Sequence, residues 1–179
     1  MKGWMPRGFA LLVLVAALCP ASSTPEDELK SAAVLSFLRY SQWPQTSAGA
    51  ITVGVFGRSV FAQTLTHTLE GKSINTRSVH VVPLDLNSDL SSCQVVYVAP
   101  GKSTEIRQIL AATAAAHALT IGENDRFLDY GGVINLFLID GHIGFEVSLE
   151  NLERTGVTIS SSMLRLGQIR DARKARFAQ

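Results

Sequence analysis

Apolar and polar positions follow a helical rhythm first and a strand rhythm later. From Leu29 the apolar or small positions Leu29, Ala32, Ala33, Ser36, Phe37 and Tyr40 recur at helical spacing, and Trp43-Pro44 ends the segment. ITVGVF is a β-rich run from Ile51 to Phe56, and Gly57 leads from it into a helix carrying Phe61, Leu65 and Leu69. SVHVVPL and QVVYVA read as strands. Ser103 or Thr104 is placed to cap a helix bearing Ile106, Ile109, Leu110 and Ala114, and ALTIG gives a further short strand. Strands separated by helices imply crossovers. The pattern predicts an α/β fold, a three-layer sandwich whose mostly parallel sheet has helices on both faces.

The rhythm changes at VINLFLI and HIGFEV, which are joined only by Asp140-Gly141, a dipeptide suited to a type I′ turn. An antiparallel C-terminal hairpin is therefore predicted. With Asp140 and Gly141 as the loop, Leu138 meets Ile143, Leu136 meets Phe145 and Ile134 meets Val147 on a core face. The other face pairs Ile139 with His142, Phe137 with Gly144, and Asn135 with Glu146. That last pair is an amide beside a carboxylate, and a mutual hydrogen bond would satisfy both as a structural polar pair. Beyond the hairpin, Ser148 is expected to cap the helix LENLER and Gly156 to end it. VTI is a brief strand, and Ser160, Ser161 and Ser162 start a last helix held by Met163, Leu166 and Ile169.

Composition changes this picture mainly at the N-terminus. Lys2 and Arg7 precede the apolar run Phe9 to Leu18, with small residues at Ala21, Ser22 and Ser23, so residues 1–23 read as a signal peptide cleaved after Ala21 or Ser23. Pro20 argues against a cut after Cys19, and the bulky Leu18 argues against lipoprotein processing at Cys19. Residues 24–179 then form a single domain, consistent with 46% apolar and 17% charged residues, exported to the periplasm as a soluble protein. Losing Lys2 and Arg7 takes the formal charge from +1 to −1, a poor match to nucleic acid. The basic cluster Arg165, Arg170, Arg173, Lys174 and Arg176 reads as a solvated last helix. Of the 2 cysteines only Cys93 outlasts the leader, so no intramolecular disulfide is expected, and its apolar setting reads as burial.

The residues that carry chemistry are scattered. The 4 histidines, His67, His80, His117 and His142, have no ligand spacing between them, so no metal site is expected. Ser160 and its neighbours lack a nucleophile-elbow context and serve better as caps. VGVFGRSVF has Gly54 and Gly57 but neither a dinucleotide fingerprint nor a P-loop lysine, and Asp125 and Asp129 read as an exposed face rather than an acid/base pair. No catalytic residue, metal or cofactor is assigned.

YSQWP (Tyr40 to Pro44), VGVFG, CQVVYVA, TIGEN and GGVINLFLIDGHIGFEVSLENLERTGVTISSSMLRLG follow one another in an order that resembles the YfiR family of periplasmic repressors. The resemblance spans nearly the whole chain after the leader, and its last block is the most specific. It implies a binding protein that represses an inner-membrane diguanylate cyclase through the cyclase's periplasmic region, lowering cyclic-di-GMP. It also implies a homodimer, and an outer-membrane lipoprotein as a partner that sequesters the repressor. Where prototype members carry cysteine pairs, this chain has Gly131-Gly132 and Leu138, so disulfide control is not supported.

Matching motif positions nominate Trp43, Glu146, Leu152, Ile159 and Leu164 as a partner interface. The alternative is a periplasmic small-molecule sensor, with ligand held at the carboxyl ends of the parallel strands near Gly57, Arg58 and Ser59.

Overall fold

A computed structural model describes residues 24–44, 49–57 and 60–170. In chain order the elements are α1 (Pro25–Tyr40), β1 (Ser41–Gln42), β2 (Ile51–Phe56), α2 (Val60–Leu69), β3 (Ser73–Ile74), β4 (Arg77–Leu84), β5 (Val95–Val98), α3 (Ser103–Ala114), β6 (Leu119–Gly122), β7 (Ile134–Ile139), β8 (His142–Ser148), α4 (Leu149–Thr155), β9 (Thr158–Ile159), α5 (Ser161–Leu164) and β10 (Gln168–Arg170). The leader, Arg58, Ser59, Arg173, Lys174 and Arg176 lie outside the described residues.

The start of α1 is fixed locally. Thr24 accepts from the Asp27 backbone while the Asp27 carboxylate reaches back to Thr24, and Pro25 opens the first turn. Its buried side is Ser31, Val34, Phe37 and Leu38, and the sequence-derived stripe shares only Phe37 with it. Leu29 and Tyr40 are instead 45% and 51% exposed. The bulk of Val34 and Leu38 sets the phase, because burying them removes far more apolar surface than burying Ala32 and Ala33.

The described strands form one eight-stranded sheet in the order β10-β8-β7-β6-β5-β2-β4-β3, beside a two-stranded pair of β1 and β9. From β4 through β2, β5 and β6 to β7 every neighbour is parallel. β3 is antiparallel to β4, β8 is antiparallel to β7, and β10 returns parallel to β8. The β7–β8 register is the one counted back from the Asp140-Gly141 turn, from Ile139 opposite His142 to Ile134 opposite Val147. Both turn residues have positive φ, 50° and 76°, as a type I′ turn requires. The core face holds for Ile134, Leu136, Phe145 and Val147. It fails at Leu138, which is 43% exposed at the hairpin's far end.

Alternate residues of β5 divide the core. Val95 and Tyr97 join the cluster under α1 and α2, where Phe37 meets the edge of Phe145 at 4.9 Å and Phe61 lies against Tyr97 at 4.7 Å. Val96 and Val98 join Ile106, Ile109 and Leu110 of α3, together with Cys93 and Phe127. The fold is thus mixed α/β around a mostly parallel sheet. Neither Ser103 nor Thr104 caps α3. The N-cap position is Lys102, which supplies no side-chain hydrogen bond, so both hydroxyl residues fall inside the first turn.

The C-terminal segment departs most from its sequence pattern. Ser160 caps α5 as expected, but the helix ends at Leu164, and the chain turns into β10 with Leu166 77% and Ile169 44% exposed. Gly167 permits that return. A Cβ there would lie 2.1 Å from the Phe145 ring, so only glycine lets the backbone pass the ring and reach the edge of β8.

The two rims of the sheet are finished differently. Along the outer side of β4, Val79 N–H donates to Lys72 O (2.9 Å), Val81 N–H donates to Glu70 Oε2 (3.0 Å), and Pro83 has no N–H. That rim offers no free donor at alternate positions 79, 81 and 83. β10 has β8 on one side and no described strand on the other.

Candidate functional site

The strongest polar constellation grows from Asn135, where β6 and β8 flank β7. Asn135 is buried and donates from Nδ2 to Glu146 Oε1 (3.1 Å), while its Oδ1 accepts from the Asn124 backbone (2.8 Å). Glu146 is mostly covered. Its Oε1 lies 3.7 Å from Arg170 Nη1, and the other guanidinium nitrogen reaches Asp129 Oδ1 at 3.4 Å. Asp129 also faces Arg126. Asp125 and Asp129 are both exposed, and Asp129 works in an ion-pair chain. Together these groups fasten the loop between β6 and β7 to the β8–β10 edge.

The same loop is held from beneath. Asn151 Nδ2 donates to Leu128 O (3.0 Å) and Gly132 O (2.8 Å), Thr120 Oγ1 accepts from Val133 N (2.9 Å), and Phe127 fills the space that side chains on Gly122 or Gly132 would need. Thus most of the GENDRFLDYGG segment is spent on its own anchorage.

A second cluster joins α1 to the end of β6. Lys30 Nζ sits 2.5 Å from both Glu26 Oε1 and Glu123 Oε2, and the buried Tyr97 hydroxyl donates to Glu123 Oε1. Burial pulls the Lys30 pKa down, but the hydrogen bonds to Glu123 and Glu26 outweigh it and leave it above the ordinary value. Burial, reinforced by the Glu123 charge, pushes the Tyr97 phenol far above its ordinary range. The sequence signals for this cluster were the Glu26/Lys30 spacing of four and the acid in TIGEN.

The five nominated interface positions do not form one surface. Leu152 and Ile159 are core residues at 7% and 4% exposure. This corrects their reading as surface positions, because α4 and β9 turn their apolar sides onto the α1 cluster. Trp43 is half-buried and donates from Nε1 to Gln94 O at 3.2 Å, and Leu164 is half-buried against the same core. Glu146 alone belongs to the polar constellation. Its partner Arg170 was assigned by sequence to a basic helix and lies instead in β10.

Gly57 lines a crevice of about 410 Å³ at the carboxyl ends of β2, β4 and β5, with Phe56, Leu84, Asp85, Ala99 and Ile106. The chain passes from β2 to β4 on one side and then to β5 on the other, so the crevice lies at a switch in strand order. Among the described residues no group of three or more His, Cys, Asp or Glu is disposed to hold a metal, and no helix is long and apolar enough to cross a membrane.

A family model described as YfiR/HmsC-like matches residues 27–168, which include both polar clusters except Glu26 and Arg170. The chain belongs to the YfiR/HmsC-like family. Among solved structures, a conserved domain protein from Vibrio cholerae O1 biovar El Tor str. N16961 superposes with a TM-score of 0.57 at 11% identity. The match covers 80% of this chain and 59% of that one, a likeness of fold alone.

Proposed function

We propose that the chain is an exported, non-enzymatic regulator that binds and represses a membrane-anchored signalling protein, a diguanylate cyclase, and so lowers cyclic-di-GMP. The family match across residues 27–168 carries this reading. The site geometry supports it, because the polar groups of the most specific motif block are engaged with one another rather than converging on an open cleft. In this reading the protein acts in the periplasm as a homodimer within a layered three-tier domain, and an outer-membrane lipoprotein sequesters it.

Glu146 with Arg170, and the half-buried Trp43 and Leu164, are the places proposed for partner contact. Leu152 and Ile159 support them from the core. Co-purification from detergent-solubilised membranes is expected to recover a protein with a cyclase domain, and deletion to raise cyclic-di-GMP. Recovery of no such protein, with unchanged cyclic-di-GMP, would sink the reading.

The crevice at Gly57 favours a second reading, a small-molecule sensor, since open α/β sheets bind ligands at the carboxyl ends of strands where the strand order switches. A thermal-shift screen separates the two. A ligand that raises Tm, with the gain lost when bulk is placed at Ala99, supports the sensor.

A further inference from the structure

On one rim β4 runs on past the two-residue edge strand β3 with its outward donors at 79, 81 and 83 consumed or missing, and on the other no described strand covers β10. On the β4 side, Lys72 O, the Glu70 carboxylate and the ring of Pro83 leave nothing for an incoming strand to accept from. On the β10 side the side chains of Gln168, Ile169 and Arg170 are all exposed. Among the described residues, two exposed large hydrophobics, Leu166 and Ile169, belong to β10 and its approach. An uncovered edge with apolar side chains next to it is a template for another strand.

We infer that the β10 edge pairs with the β10 edge of a second copy, in antiparallel register about a twofold axis through Ile169. The charge pattern selects this occupant and register. Centring on Ile169 places the two isoleucines side by side and sets each Arg170 across from a Gln168, an uncharged hydrogen-bonding group. Centring on Arg170 would instead oppose two guanidinium groups, and like charges directly opposite destabilise a pair. A twofold interface must tolerate its own sequence read backward, and Gln-Ile-Arg about the isoleucine does so. The Arg170 guanidinium is also drawn back toward Glu146 and Asp129, away from the outer side of the strand. The inference deepens the homodimer of the proposed function and rests on that reading for nothing else.

Light scattering on the purified protein is expected to give twice the chain mass. Ile169→Lys, which opposes two ammonium groups at the axis, is expected to raise the dimer dissociation constant about tenfold or more, with circular dichroism unchanged. Ile169→Cys is expected to form a disulfide-linked dimer on mild oxidation, because directly opposed antiparallel residues bring their Cα atoms within about 4.5–5.5 Å. The buried Cys93 gives little background. A monomer at every concentration overturns both this edge and the homodimer. A dimer that Ile169→Lys leaves intact and Ile169→Cys does not cross-link overturns the edge but keeps the homodimer. A monomer that becomes a dimer on removing residues 171–179 identifies the chain's own tail as the occupant and overturns pairing in the full-length chain.

Discussion

Asn135 serves two elements with one amide, since its nitrogen holds Glu146 on β8 and its oxygen holds the Asn124 backbone at the start of the loop. Replacing it with leucine leaves a covered N–H and a covered carboxylate without that partner. Asn135→Leu is expected to lower stability by about 1–3 kcal/mol, read as a fall in urea midpoint at unchanged m-value. Tyr97 and Lys30 make a different prediction, because both bind their protons more tightly folded than unfolded. Their contribution is full below the ordinary values of 10.0 and 10.5 and is lost as pH rises above them. Stability should therefore hold from neutrality to about pH 10 and then fall. Tyr97→Phe should flatten that fall. Equilibrium unfolding across the alkaline range tests this, and an identical slope in the variant would refute the assignment.

At the scale of elements, α3 has the extended N-cap backbone of a well-started helix at Lys102 but no capping side chain. Lys102→Asp supplies both an acceptor and a charge that suits the helix start. It is expected to stabilise by about 1 kcal/mol, seen as a raised Tm. Gly167 works in the opposite sense. Gly167→Ala pushes a methyl group into Phe145 and is expected to cost about 1–3 kcal/mol, with part recovered when Phe145 is shortened to leucine in a double-mutant cycle. These two sites also show what the chain's pattern does and does not reveal. The hairpin register was legible because Asp140-Gly141 fixes the turn and the strand period of two then dictates every pair. The α3 cap, the phase of α1 and the return at Gly167 were not, because hydroxyls, alanines and a single glycine are compatible with several placements until tertiary packing chooses.

On the scale of the whole molecule, the mixed α/β class and mostly parallel sheet followed from alternating strand and helix patterns. The short strands β1, β3 and β10 carry too few residues to show a period. The candidate site was legible as a pair and not as a network: Asn135 and Glu146 are linked by the turn, whereas Arg170 and Asp129 arrive from segments about 40 residues apart. What the closed β4 rim means is clearest in terms of polymer growth. A subunit with one pairing edge stops at two copies, and a subunit with two such edges keeps adding copies into a fibre. In the inferred dimer, Glu70 and Pro83 would serve as chain terminators along β4. A Glu70→Ala, Pro83→Thr double variant, which frees the Val81 N–H and restores a donor at position 83, should scatter light as growing filaments at concentrations where the parent stays small.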